Sequence, residues 1–295
     1  MFHVFLVNPV AGKGKGKEEI IESIHTYFKL KEQTNYIVYV TQRKGHATEL
    51  VEEECAKRSF CKFYSVGGDG TLNEIVRGAY RHKNCEIGIY PCGTGNDFVK
   101  TLGEKYTSPS LEQLIEASGR ECDLITVNGQ VGINVASIGF DSEVANNVDR
   151  FKRRFSGSLA YTFSIFYCLI TKVKNKMEIT VDGQTYITGN FLLCVAANGK
   201  YYGGGYNPAP DACITDGELD FTLVNSVSRF KIAKLLGKYK KGEQGEFPFV
   251  TMLRGEKMLV SSDNELCINI DGEIFFAKKA EFGVMKKTIK IVDLE

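Results

Sequence analysis

The chain has 295 residues, more than the roughly 100–150 that one core usually organises, so two domains are expected. Hydrophobic residues make up 43% and charged residues 25%, a globular balance that excludes a largely disordered chain. The formal net charge of +1 excludes recruitment of nucleic acid or membrane by an overall field, and any such contact must come from a local patch.

Residues 2–8 form a short apolar run that ends in Asn8-Pro9 and the glycine-lysine loop Gly12-Lys13-Gly14-Lys15-Gly16-Lys17. Ile20, Ile21, Ile24, Tyr27 and Phe28 then recur at helical spacing. Residues 36–41 read as a strand, 47–58 as a helix, and 60–66 as a third strand that runs into Gly67-Gly68-Asp69-Gly70-Thr71. Residues 72–80 are helical, and 86–90 are a strand followed by Pro91-Cys92-Gly93-Thr94-Gly95-Asn96-Asp97. Strands separated by helices of about 10–15 residues imply right-handed crossovers and a parallel sheet, with ligands beyond the carboxyl ends of the strands.

After about residue 125 the pattern changes. Asn128-Gly129, Asp182-Gly183, Asn198-Gly199, Asp216-Gly217 and Asp271-Gly272 are turn dipeptides, most of them beside short β-prone runs. Met177, Ile179 and Val181 alternate with polar residues, as do Leu266, Ile268 and Ile270. The expected architecture is therefore an α/β domain with a parallel sheet over residues 1–125. A mainly antiparallel β-sandwich or barrel follows over 126–295, with helical stretches near 156–171 and 229–239, and the last strand is free to return to the first domain.

The nine cysteines contain no Cys-x-x-Cys pair, which argues against a four-cysteine zinc site, and their odd number argues against a closed disulfide framework. Reduced, mostly buried thiols of a cytoplasmic protein are expected. The N-terminal residues show no secretory signal, and the apolar stretch near 158–170 falls short of the ~20 residues a membrane span needs.

Three glycine loops at successive strand ends let backbone N–H groups approach an anion, and the helix that follows adds its dipole and unpaired amides. Neither the Walker spacing nor the dinucleotide fingerprint fits them, because Glu18 follows Lys17 and the first loop reads Gly-x-Gly-x-Gly. The lysine-rich loop is as compatible with a plain tight turn. An aspartate between glycines at a strand end, followed by Asn73-Glu74, points to a ligand crevice.

At this level the chain resembles the diacylglycerol kinase catalytic-domain family, and within it the soluble bacterial lipid kinases. The resemblance is carried by Asn8-Pro9-x-Ala11-Gly12, Gly67-Gly68-Asp69-Gly70-Thr71, Asn73-Glu74 and Gly93-Thr94-Gly95-Asn96-Asp97-Phe98. Asp211-Ala212-x-x-x-Asp216-Gly217-x-Leu219-Asp220 and Asp271-Gly272-Glu273 extend it to the C-terminal half. What it implies is a two-domain kinase that uses ATP and Mg²⁺ to phosphorylate a lipid hydroxyl, most readily diacylglycerol to phosphatidic acid in phospholipid biosynthesis. By position it implies nucleotide contacts from Asn8, Val10, Ala11, Gly12, Lys13, Gly14, Thr41, Gly67, Gly68, Asp69, Gly70, Thr71, Leu72, Asn73, Thr94, Asn96 and Asp97. It implies a structural metal at Asp216 with backbone oxygens of Cys213 and Glu218, and a proton acceptor at Asp271 or Glu273.

Phosphoryl transfer fits these residue types. Glycine-loop amides and Mg²⁺ neutralise charge, Asp69 is suited to hold the metal or its waters, and a carboxylate receives the acceptor's proton. Asp271-Gly272 is equally a hairpin turn, and residues 211–220 are equally a solvated acidic loop. The histidines show no metal or nucleophile spacing. Lys231, Lys234, Lys238 and Lys241 recur as a basic helical face, which suits either an anionic membrane or plain solvent, and residues 151–155 are a second basic candidate. The expected setting is cytoplasmic with peripheral membrane contact, a lipid substrate, no nucleic acid, and a homodimer as the assembly to test. The competing readings are an NAD kinase, and a nucleotide- or lipid-binding regulator without turnover.

Overall fold

Short apolar strands alternate with amphipathic helices through the first 124 residues of a computed structural model that describes residues 1–10, 17–140, 142–144, 147 and 175–294. The chain divides into two units, residues 1–124 with 286–295, and residues 125–285.

In the first unit the order is β1 (Phe2–Val7), α1 (Lys17–Leu30), β2 (Tyr36–Val40), α2 (His46–Lys57), β3 (Cys61–Gly67), α3 (Asp69–Ala79), β4 (Cys85–Pro91), α4 (Asp97–Leu102) and α5 (Leu111–Glu116). β1 pairs in parallel with β2 and β3, and β3 with β4. The strand composition explains why the sheet lies inside: β1 and β3 are mostly apolar and buried on both faces, with Lys62 of β3 buried against Glu86 at 3.1 Å. Phe5, Val7, Tyr64 and Val66 pack against Ile24 and Phe28 of α1 and Leu114 and Ile115 of α5. α2 and α3 pack on one another, and a Cβ on Gly78 would stand 2.7 Å from the Thr48 carbonyl, so glycine permits that approach. The last ten residues belong here as well: Ile291 pairs in parallel with Ile87 of β4, and the Tyr106 hydroxyl donates to Asp293 at 2.7 Å.

The second unit takes the end of β5 (Gly119–Val127), then β6 (Gln130–Gly132), β7 (Val135–Gly139), β8 (Asn175–Val181), β9 (Thr185–Ala197), β10 (Leu219–Asn225), α6 (Arg229–Lys241), β11 (Val250–Gly255), β12 (Lys257–Ile270) and most of β13 (Glu273–Val292). Its pairings are antiparallel. Two long strands serve two sets of neighbours. β9 pairs with β8 over its first half and with β7 and β10 over its second, and β12 pairs with β8 and then β7. Register shifts in β12 between Ser261 and Leu266, and in β10 at Val224/Asn225, mark where pairing is interrupted.

Asn128-Gly129, Asp182-Gly183 and Asp271-Gly272 close the hairpins β5–β6, β8–β9 and β12–β13 with positive φ at both residues. Asn198-Gly199 and Asp216-Gly217 close no hairpin; they lie in the connection from β9 to β10. The alternation at Met177, Ile179 and Val181 matches a strand with one buried face. Around Leu266–Ile270 the intervening Cys267 and Asn269 are buried too, because β12 is central there, between β7 and β13.

The expected helix over 156–171, the basic segment 151–155 and the loop residues Ala11, Gly12, Lys13 and Gly14 lie outside the described residues. Among the described residues no helix is long and apolar enough to cross a membrane.

Candidate active site

The carboxyl ends of β1, β3 and β4 meet at one rim of the first unit. The Asn8 backbone N–H donates to Val66 O, and its side-chain amide donates to Thr71 Oγ1 at 3.1 Å, which ties the end of β1 to the first turn of α3. Thr41 joins the same rim through its N–H and hydroxyl, both directed at Val7 O. Val10 is exposed, with its N–H on Asn8 Oδ1.

Gly68 and Gly93 bring the β3 and β4 loops together. A Cβ on Gly93 would lie 2.5 Å from Gly68 Cα, so neither loop could carry a side chain at that crossing. Gly67 is filled from the side, since a Cβ there would meet Thr71 Oγ1 at 2.3 Å. Asn96 locks the β4 loop: it takes the left-handed conformation at φ 47, accepts from Gly93 N–H at 3.0 Å and donates to Gly93 O at 2.9 Å. Asparagine is the non-glycine residue best suited to this, because its short amide closes local hydrogen bonds.

Two carboxylates flank Gly95. A Cβ at that position would stand 3.0 Å from Asp69 Oδ2 and 3.8 Å from Asp97 Oδ2. Desolvation raises the Asp69 carboxyl above its ordinary range, partly offset by the backbone N–H groups of Asp97 and Phe98, the latter at 3.2 Å. Asp97 is buried and paired with Lys100 at 2.6 Å. A desolvated acid beside a second carboxylate is the electrostatic setting that a divalent cation relieves.

The remaining expected nucleotide residues divide. Leu72 is core, so only its backbone could face a ligand, and Thr94 is exposed in the β4 loop. Asn73 is buried, and its Oδ1 has no hydrogen-bond partner among the described residues. Glu74 accepts from Ala47 N–H at 3.2 Å, at the start of α2, which is a helix-capping use of the motif residue. No side chain caps the first turn of α3 at Gly68. An uncapped helix start, a glycine crossing and an orphaned buried amide oxygen together fit a polyphosphate ligand.

In the second unit the acidic turn is tied to the β6–β7 segment. The Asp271 carboxylate accepts three backbone N–H groups, from Ile133 at 2.7 Å, Asn134 at 3.2 Å and Val135 at 2.9 Å. It is thereby a clamp on the segment between β6 and β7, a structural role that stands beside its expectation as one of the two candidate proton acceptors. Glu273, its register partner Ile270 across the hairpin, remains half-buried at the start of β13. Asn269 accepts from Gly272 N–H at 2.8 Å and shapes the turn. Asn134 donates to Tyr201 O and Asn198 donates to Ile133 O, so two asparagines hold the same segment from its other side.

The expected metal loop carries a cation of its own. Asp216 Oδ2 faces Arg254 Nη2, and Asp216 Oδ1 accepts from Glu218 N–H at 3.1 Å. Arg254 also reaches Glu218 at 3.4 Å and Asp220 at 3.6 Å. Cys213 is exposed, with its thiol against Thr215 Oγ1. Burial raises the Asp220 carboxyl to about 6, with Arg254 pulling the other way. Asp216, the one side chain expected to ligate, therefore has both oxygens engaged.

α6 is basic as expected, and its lysines are not equivalent. Lys238 is paired with Glu243 at 2.6 Å and Glu246 at 3.1 Å, while Lys231 and Lys234 are exposed beside Phe230, itself 91% exposed. The opposite face of α6, through Ile232, Leu235 and Tyr239, lines an apolar cavity of about 40 Å³ with Phe140, Leu193 and Tyr206.

Comparison with known proteins places this arrangement. Residues 3–127 match the diacylglycerol kinase catalytic domain, and residues 134–293 match the YegS C-terminal NAD kinase beta sandwich-like domain. A Staphylococcus aureus (strain MRSA252) protein named "Putative lipid kinase SAR0780" is 30% identical over 265 residues, covering 86% of this chain and 85% of that one. The chain belongs to the diacylglycerol kinase-like family of lipid kinases. A solved structure described as "a putative diacylglycerol kinase from Bacillus anthracis str. Sterne" shares the fold at TM-score 0.75 and 22% identity, over 99% of this chain and 96% of that one. An NAD kinase from Archaeoglobus fulgidus, in complex with ATP, shares it at TM-score 0.53 and 14% identity, over 100% and 94% of the two chains.

Several residues of the arrangement described above carry no sequence signal. Arg254 stands in no motif and meets the acidic loop only because its strand pairs it with Asp220. Asn134 follows a three-residue strand, and nothing in its neighbourhood announces a scaffold for the acidic turn. Asn198 is visible in the sequence as a turn residue, which hides its part in holding Ile133.

Proposed function

We propose that the protein transfers the γ-phosphate of ATP to a lipid hydroxyl, with diacylglycerol as the first candidate and phosphatidic acid as product. The observation that carries this reading is the pair Asp69 and Asp97 flanking Gly95 in a glycine-lined rim whose helix start is uncapped. Bound Mg²⁺ would neutralise phosphate charge there, with Asp69 as its protein ligand or the acceptor of its waters. The amides at the start of α3 and in the Gly93–Asn96 loop bind and orient the phosphates, and the buried Asn73 oxygen takes a donor from the nucleotide or its water. Glu273 receives the proton of the acceptor hydroxyl as the new O–P bond forms and the bond to ADP breaks; a well-placed base of this kind contributes about 10²–10⁴-fold. Asp271 holds the turn that carries it.

One feature supports a lipid acceptor. The exposed Lys231 and Lys234 with Phe230 form a basic-aromatic face suited to an anionic bilayer, so peripheral membrane contact is part of the proposal. The likeness in fold to an ATP-bound NAD kinase keeps phosphorylation of a ribose hydroxyl as the second reading.

The test is transfer of radiolabelled γ-phosphate to a panel of lipid alcohols in mixed micelles with Mg²⁺, with NAD as a soluble acceptor. Label on diacylglycerol that disappears in Asp69→Asn and in Glu273→Gln supports the proposal. Label on NAD alone selects the second reading. Nucleotide binding with no acceptor labelled would favour a regulator without turnover.

A further inference from the structure

The acidic loop between β9 and β10 is folded by its own contacts. Ala209, Ala212 and Ile214 are buried, Ala212 N–H closes a turn on Ala209 O, and Gly217 takes φ +77 so that Glu218 N–H returns to the Asp216 carboxylate. Three carboxylates, Asp216, Glu218 and Asp220, converge on one guanidinium. That guanidinium is aimed by the backbone: Asp220 on β10 and Arg254 on β11 are direct cross-strand partners, so the sheet register delivers the cation to the loop. Arginine suits the position because its fork offers donors to several carboxylate oxygens at once and cannot lose its charge.

We propose that Arg254 is the resident cation of this loop, and that the Arg254 guanidinium and a divalent metal ion exclude one another there. The reason is geometric and electrostatic. Both Asp216 oxygens are engaged, one by Glu218 N–H and one by Arg254. A divalent ion on the same carboxylate would sit against the fixed positive charge of the guanidinium that three carboxylates already hold, and the two cations repel. The loop of this protein is therefore organised without metal, and any Mg²⁺ that serves phosphoryl transfer is held elsewhere. The inference is independent of the proposed kinase activity, because it concerns the second unit's own folding.

Manganese titration followed by loss of the free-ion electron-spin-resonance signal tests this on the full chain without nucleotide. The wild type and Asp216→Asn are expected to bind Mn²⁺ alike, since the loop takes none in either. Arg254→Met is expected to gain one site, and adding Asp216→Asn to it removes that site. In excess EDTA the wild type melts where it does in MgCl₂, whereas Arg254→Met melts about 3–6 °C lower and recovers with Mg²⁺. A wild-type Mn²⁺ site that Asp216→Asn abolishes overturns the proposal, and so does an Arg254→Met protein that folds and gains no site. If Arg254→Met does not fold, the wild type against Asp216→Asn decides alone.

Discussion

Asp271 and Glu273 stand two positions apart in one turn, and the proposal gives their side chains different work. The three N–H groups on Asp271 make it a structural acceptor. Asp271→Asn turns an amide N–H₂ or a weaker carbonyl toward those donors and is expected to cost about 1–3 kcal/mol of stability, read by denaturant melting. Glu273→Gln is expected to melt like the wild type and to lose roughly 10²–10⁴-fold in turnover in the transfer assay. Unchanged stability in the first, or unchanged turnover in the second, would reverse the assignment. The motif narrows the base to two acids from sequence alone. The choice between them depends on Ile133, Asn134 and Val135, which lie about 140 positions away and which no local pattern connects to the turn.

At the scale of elements, the crossing of the β3 and β4 loops rests on glycine. Gly93→Ala would place a methyl group 2.5 Å from Gly68 Cα, backbone that cannot move aside cheaply. A loss of about 1–3 kcal/mol in stability is expected, together with weaker nucleotide binding; a variant that binds nucleotide normally would show that the crossing does not shape the site. α6 offers a second test. Lys234→Glu is expected to weaken binding to anionic vesicles roughly thirtyfold, because it reverses a near-surface charge at ~1 kcal/mol per unit. Lys238→Glu should weaken it less, because Glu243 and Glu246 already neutralise that lysine. Equal effects from the two variants would count against α6 as the membrane face. Spacing alone makes the four lysines of the basic face, Lys231, Lys234, Lys238 and Lys241, look equivalent, and the turn that follows the helix sets Lys238 apart.

For the whole molecule, stability has a pH dependence that begins at the second strand position. His3 is buried against Phe28 and Tyr64, with its Nδ1 and the Tyr64 hydroxyl 2.7 Å apart. Desolvation first, then the Lys62 ammonium and the chain terminus, push its pKa from 6.5 down to about 4. Its folded pKa lies below its unfolded value, so the stability due to neutral His3 is complete above pH 6.5 and is lost as pH falls through about 4. His3→Gln should flatten this part of the melting-temperature profile, measured from neutral pH to about 4. A profile of the same slope in the variant would assign the acid sensitivity elsewhere. The first unit also depends on the far end of the chain, since residues 286–295 supply the partner of β4 and the Asp293 acceptor for Tyr106.

By itself the sequence determined what short-range physics controls. The periods of apolar residues located the strands and helices in order: the strand read at 36–41 is Tyr36–Val40, and the helix read at 229–239 is Arg229–Lys241. Glycine and asparagine chemistry marked the loops, because a positive φ or a close approach restricts residue type at the position itself. Tertiary structure alone decided which polar groups meet. The engagement of Asp216 by Arg254, the clamp by Asp271, the pairing of Lys238 and the burial of His3 each join residues that are distant in the chain or set by strand register. A side chain's local sequence constrains its backbone, whereas its charge state and partners are set by whatever the fold packs against it.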